Sequence, residues 1–361
     1  MMEKLMIDSL ITWSTMYRVD GYRFDLMGHH MLDNMVHVRE ALDSLTPENS
    51  GVDGSRIYVY GEGWNFGEVA DNALGVNATQ LNLGGTGIGS FNDRVRDSVR
   101  GGNPFGGLQE QGFVNGLYTD PSEDETRPVE QQLDLLRLFQ DRIRVSLAGN
   151  LRDYTFENYL GNVITGAEVD YNGAPTGYTL DPQEHIVYAA AHDNETLFDV
   201  IQIKAPLDTS MEDRVRMNNL AIDVVMLSQG VPFFHAGDEM LRSKSGDRNS
   251  YDSGDWYNAI DFTYQSNGWG RGLPPAWTSQ DSWTQWQPLL ADPTLTPNSD
   301  HIRSAINHFQ EMLQIRQTTA LFRLRTADDI ISRVAFQNTG AEQIPGLVVM
   351  SISDLGEGSV D

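Results

Sequence analysis

The chain has 361 residues, 40% of them hydrophobic, which suffices for one large domain, or for one domain and part of a second, and does not describe a disordered chain. Its formal net charge of -26 sets the surface against nucleic acid and anionic lipid, leaving neutral or cationic ligands and metal ions as binding classes. With no cysteine, disulfides, thiolate zinc sites and cysteine nucleophiles are excluded, and no apolar run reaches membrane-spanning length.

The opening MMEKLMIDSLITWSTMY lacks the basic region and small-residue cleavage site of a signal peptide. Leu5, Met6, Leu10, Ile11 and Trp13 recur at helical spacing, so the chain is expected to open inside an amphipathic helix without a cap, as part of a longer chain would. Residues 19–25 read as a buried strand. A helical pattern follows over 31–46, with a turn at Thr46-Pro47. IYVYGEGW, residues 57–64, reads as a second strand bounded by glycines. After the glycine-rich LNLGGTGIGSF at 81–91, residues 91–101 predict a strand end running into a short helix, and 101–128 a loop. Residues 129–149 predict a helix and 150–184 an irregular stretch. A third strand over 186–191 ends in His192-Asp193-Asn194, a long helix covers 211–228, and VPFFHAGDE at 231–239 predicts a fourth strand. Residues 240–300 read as a long ordered loop region, 301–316 as a helix, and 328–354 as alternating strands.

The predicted strands are nearly continuously apolar, as parallel strands covered on both faces are. Alternation of strand and helix with charge at strand C-termini predicts a (β/α)-barrel whose site lies on the C-terminal face. A doubly wound open sheet, which also binds ligands there, is the alternative.

Three strands each deliver a carboxylate at their exit: Asp25, Glu62 and Asp193. On one rim, such a trio suits divalent-metal binding or glycoside hydrolysis by a nucleophile and a general acid. The neighbours favour the second. Arg23 shares a strand face with Asp25, and a guanidinium there favours the ionised carboxylate that a nucleophile needs, whereas it would compete with a metal ion. Trp64 follows Glu62 closely; an indole beside a carboxyl takes it out of water, which suits a general acid, and the ring offers a surface for a sugar. His192 and Asp193 supply a donor and an acceptor for hydroxyls. Taken singly, Arg-x-Asp is an ordinary ion pair, Gly-Glu-Gly a turn, and His-Asp-Asn a cap; their succession at strand ends is what points to a site.

These motifs carry a resemblance. The chain resembles the α-amylase superfamily, glycoside hydrolase family 13, and within it the pullulanase-type debranching enzymes. GYRFDLMGHH resembles the second conserved region, YVYGEGWNFGEV the third, AAHDNETLFD the fourth, and GVPFFHAGDEMLRSKSGDRNSYDSGDWYN the eighth strand with its following loop. The resemblance implies retaining hydrolysis of α-1,6-glucosidic links in pullulan or branched α-glucans, with Asp25 as nucleophile, Glu62 as acid/base and Asp193 as transition-state stabiliser. It implies substrate contacts at Arg23, His29, Trp64, His192, Asn194, Asp247, Arg248 and Asn249. It implies no redox cofactor, allows structural calcium without indicating ligands, and points to extracellular or cell-surface enzymes. The partner is then an α-glucan, with neither nucleic acid nor membrane insertion.

The family's first conserved region has no counterpart here. The expectation is therefore an incomplete (β/α)8 TIM barrel, about strands 4–8, over residues 1–325, followed over 326–361 by the start of an all-β C-terminal domain, poorly soluble or self-associating alone and inactive or nearly so. Neopullulanase, isoamylase, a branching enzyme, a non-catalytic glucan-binding remnant and a metal-dependent barrel hydrolase are the alternatives. His30 is as suited to packing as to substrate contact, His235 and Asp238 to packing, and the tryptophans at 269, 277, 283 and 286 chiefly to the core of the loop region, with sugar platforms as the second reading.

Overall fold

The computed structural model describes residues 1–356. Five short strands form one parallel sheet in chain order: β1 (Gly21–Phe24), β2 (Tyr58–Gly61), β3 (Gly89–Phe91), β4 (His185–Val187) and β5 (Val231–Pro232). The order runs without the reversal that defines a doubly wound sheet. Parallel neighbours need long crossovers, and helices supply most of them: Leu32–Asp43 between β1 and β2, Asp93–Arg100 and Val129–Leu147 between β3 and β4, Leu197–Lys204 and Met211–Leu227 between β4 and β5.

Side chains alternate across the sheet. Val187 faces a core built with Val95, Val99, Ile143, Ile201 and Val225 of the crossover helices. Tyr58, Tyr60, Phe91, Ile186, Tyr188 and Phe233 face the other way and pack as a layer of rings. Phe91 sits at its centre, 5.2 Å from the Tyr188 ring and 5.0 Å from that of Phe233, both edge-on. Both faces of the inner strands are thus covered, as their sequence predicts, but the edge strands β1 and β5 are only half-buried.

The strands are shorter than predicted. β4 leaves the ladder after Val187, and β5 spans only Val231–Pro232, with the Phe233 N–H making the last bond, to the Val187 carbonyl at 2.8 Å. Helix Leu197–Lys204 was not predicted. All eight of its residues are buried, so it has no apolar stripe, and its one sequence signal is the N-cap Thr196, which accepts from the Asp199 N–H. The stretch 150–184 holds two small antiparallel ladders, Thr155–Glu157 with Val163–Thr165 and Asp170–Tyr171 with Ala174–Pro175. The loop region 240–300 contains helix Trp283–Ala291 with Pro288 inside it. Helix Ser299–Thr318, opened by an Asn298 capping box, lies against Met211–Leu227, where His308 meets Asp223 at 2.6 Å. At the end of the chain, helix Ala327–Arg333 replaces the front of the predicted strand tail because Thr326 caps it. β6 (Val334–Gln337) then pairs antiparallel with β7 (Val349–Ile352). Positions 357–361 of the expected all-β segment lie outside the described residues.

Candidate active site

β1 and β2 pair in register, Phe24 opposite Gly61, so the next residues, Asp25 and Glu62, leave the sheet side by side. Glycine on either side of Glu62 serves close approach. A Cβ on Gly61 would stand 2.4 Å from the Phe24 carbonyl oxygen, and one on Gly63 would stand 2.6 Å from Ser90 Oγ.

One guanidinium joins the two carboxylates. Arg23 donates through Nη1 to Asp25 Oδ1 and through Nη2 to Glu62 Oε1, the latter at 2.8 Å. Glu62 Oε2 accepts the backbone N–H of Leu26, also at 2.8 Å. The two acids differ sharply in access: the Asp25 side chain is 73% exposed and that of Glu62 8%. Arg23 in turn rests 5.8 Å above the Phe91 ring, so the aromatic layer sets its height over the sheet. The polar partners of Glu62 are therefore Arg23 and Leu26. Trp64 lies with Arg96 6.0 Å from its ring centre, and Arg96 is held by Asp97 and by the Tyr188 hydroxyl.

His192 and Asp193 follow β4 on the same edge of the sheet. His192 Nε2 stands 3.4 Å from Asp193 Oδ1, and the Asp193 side chain is 62% exposed. Asn194 adopts a left-handed φ of 63°. The structure thus brings Asp25, Glu62 and Arg23 into one bonded group, while the His192–Asp193 pair stands apart from it, without a hydrogen bond or ion pair to either acid among the described residues.

Sequence reading missed the residue that holds this second pair in place. Lys244 is buried, and its ammonium donates to the carbonyls of His192 at 3.1 Å and Asn194 at 2.9 Å and to Ser250 Oγ at 3.0 Å. It ties the His192–Asn194 turn to the loop carrying Asp247, Arg248 and Asn249. The turn around Lys244 is itself built on Asp199, whose carboxylate accepts from Ser243 Oγ and the backbone N–H groups of Lys244 and Gly246; burial pushes that carboxyl up to about 6. A lone lysine and a lone aspartate carry no spacing signal.

Within that loop Asp247 is buried, with Oδ1 accepting from the Asn249 N–H at 3.0 Å and Oδ2 without a partner among the described residues. Arg248 donates to the Pro104 carbonyl at 2.5 Å and stands 3.6 Å from Glu195. His29 is edge-on to Phe66 at 4.9 Å, and its two ring nitrogens have no partner among the described residues. Burial, with His29 beside it, pushes His30 down. His235 and Asp238 pack at the end of β5, burial pushing the imidazole down to about 3 and the carboxyl up to about 7. Trp269 and Trp286 join the core of the loop region, Trp283 is half-buried, and Trp277 is exposed. Among the described residues, no group of three or more His, Asp or Glu side chains is placed to hold a metal ion, and no helix is long and apolar enough to cross a membrane.

Residues 264–361 match the family described as alpha-1,6-glucosidases, pullulanase-type, C-terminal. Over nearly its whole length the chain is similar to pullulanases. Over 355 residues it is 51% identical to Pullulanase 1, chloroplastic, of Arabidopsis thaliana, a match covering 98% of this chain and 37% of that protein. It is 40% identical to a pullulanase of Klebsiella aerogenes, covering 98% of this chain and 31% of the relative. Among solved structures, the maltotriose complex of PulA from Klebsiella pneumoniae superposes with a TM-score of 0.89 at 39% identity, covering 98% of this chain and 37% of that one. The chain spans about a third of the length of the curated relatives it matches.

Proposed function

We propose that these residues serve a retaining glycosidase that cleaves α-1,6-glucosidic links in pullulan and branched α-glucans. The observation that carries the reading is the single guanidinium of Arg23 bonded to both Asp25 and Glu62. Two carboxyl groups of unequal access on one guanidinium support a retaining pair, which works at about 5–5.5 Å. Exposed Asp25 attacks the anomeric carbon as the glycosidic C–O bond breaks. Glu62 gives its proton to the leaving oxygen, then takes one from the water that attacks the glycosyl–Asp25 ester and releases the sugar. Asp193 and His192 face the sugar hydroxyls, with Lys244 fixing their turn. The chemistry needs no cofactor. The sequential parallel strands support residues 1–325 as the later strands of a (β/α)8 barrel, and β6 with β7 supports 326–361 as the start of a β-domain.

The maltotriose complex of the Klebsiella pneumoniae relative supports an α-glucan as ligand here. The test is product analysis on pullulan, using this chain and a chimera in which it replaces the matched portion of the Arabidopsis relative. Maltotriose as product supports the reading, and panose would assign α-1,4 cleavage instead. Glu62→Gln in the active form should lose about 10²–10⁴-fold in kcat. Pullulan binding that survives Asp25→Ala, in a chimera that never turns over, would replace catalysis with glucan binding.

A further inference from the structure

Three exposed aromatic side chains lie on two adjoining segments beyond the carboxylate rim. Tyr251 is 79% exposed, Trp256 64% and Trp277 57%. They are not loose. Tyr251 meets Trp277 edge-to-face with ring centres 6.0 Å apart. Trp256 donates its indole N–H to the Arg271 carbonyl at 2.8 Å, and Arg271 returns a bond from Nη1 to the Trp256 carbonyl at 2.9 Å. Tyr257 reinforces the seam, its hydroxyl donating to the Leu273 carbonyl at 2.7 Å. The polar handle of Trp256 is therefore used internally and its ring face is left to solvent. Rings pinned in this way lose little freedom on binding.

We infer that Tyr251, Trp256 and Trp277 form an aromatic platform that binds glucose rings of an α-glucan outside the three-carboxylate rim. The inference rests on the glucan reading above. Three observations select the ligand. Exposed rings held by a backbone bond, as in Trp256, or by each other, as in Tyr251 and Trp277, present flat apolar faces, which match the C–H faces of pyranose rings. Asp252 and Asp255, both exposed, are interspersed with the rings along SYDSGDWYN and offer acceptors to hydroxyl edges. The same two carboxylates, in a chain of net charge -26, oppose the nucleobases and phosphates that also stack on aromatics. The platform is continuous with the rim: Ser250, which precedes Tyr251, accepts from Lys244, the residue that holds the His192–Asn194 turn.

Affinity electrophoresis in native gels containing pullulan or glycogen tests this, with the Asp25→Ala background removing turnover. The expected result is retardation of the parent that falls about 5-fold or more in Trp277→Ala and Tyr251→Ala, and is partly restored in Trp277→Phe, all with unchanged near-ultraviolet circular dichroism. Should an alanine variant lose its fold, the Phe variant and quenching of exposed tryptophan fluorescence by maltooligosaccharide decide the matter; a parent whose fluorescence does not respond overturns the platform. Retardation of the parent that all variants retain overturns the platform and leaves the rim reading standing. Absence of retardation in the parent overturns the platform as well, while maltotriose release from pullulan by the unsubstituted protein would still uphold the rim. Retardation lost only when a rim residue such as Arg23 is replaced assigns the binding to the rim alone.

Discussion

Lys204 shows what burial does to a single charge. Its ammonium lies out of water at the end of helix Leu197–Lys204, donates to the Gly101 carbonyl, and has Arg100 nearby. Burial first, then repulsion from Arg100, pushes its pKa down to about 7. In the unfolded chain it titrates near the ordinary lysine value of about 10.4. Between those two values the unfolded chain holds the proton that the folded chain has shed, so stability rises with pH across that window, by at most about 1.4 kcal/mol per pH unit. Below pH 7 the signal is mixed. His185, pushed down to about 3 by burial, raises stability as pH climbs toward its unfolded value, while Asp238, pushed up to about 7, lowers it over much of the same range. The window above 7 is therefore where Lys204 can be read. Urea unfolding at pH 7.5 and about 9 should show the wild type gaining stability that Lys204→Met does not gain; equal slopes in the two proteins would refute the assignment. Nothing in IQIKAP announces such a group. Asp25 and Glu62, by contrast, follow strands predicted from the sequence, with Arg23 two residues before the one and a glycine on each side of the other, and ladder register turns that pattern into proximity.

At the scale of the element, the β1–β2 pair stands on a glycine. A methyl group at Gly61 would meet the Phe24 carbonyl oxygen at 2.4 Å, with Met27 Cβ and Phe24 Cβ each at 3.0 Å, and backbone cannot step aside as a flexible side chain can. Gly61→Ala should therefore cost about 1–3 kcal/mol and displace Glu62 from Arg23. A thermal melt reports the first effect and loss of hydrolysis in the chimera the second. An Ala variant with wild-type melting would mean that the strands have slack the geometry denies. The same scale shows where sequence reading stops. Long helices with a stripe, such as Val129–Leu147 and Met211–Leu227, were legible within a few residues. Leu197–Lys204 was not, because a helix buried on every side has no period to read. Trp283–Ala291 was hidden by Pro288, and Ala327–Arg333 by β-forming residues whose propensity a Thr326 cap overrides. The strands of the parallel sheet were legible, while their ends were not, since the apolar runs continue past Val187 and Pro232; the short ladders within 150–184 have no such run to read.

For the whole molecule two forces oppose each other. Met2, Leu5, Met16 and Tyr17 project from helix Met2–Tyr17 into solvent, and the outer edge of β1 has no ladder partner among the described residues. Exposed apolar surface beside an open strand edge favours pairing between copies. A net charge of -26 on every copy opposes it. The range of that repulsion is set by salt, the screening length falling from about 30 Å at 0.01 M to about 3 Å at 1 M. The apolar attraction is short-ranged and survives screening. Sedimentation velocity should therefore show a species near monomer mass at low salt that shifts to larger assemblies as salt rises at fixed pH. Leu5→Glu combined with Met16→Lys, which leaves the net charge unaltered, should suppress the shift; assemblies that form equally in that variant, or a mass that does not respond to salt, would show that neither the helix face nor the charge governs association.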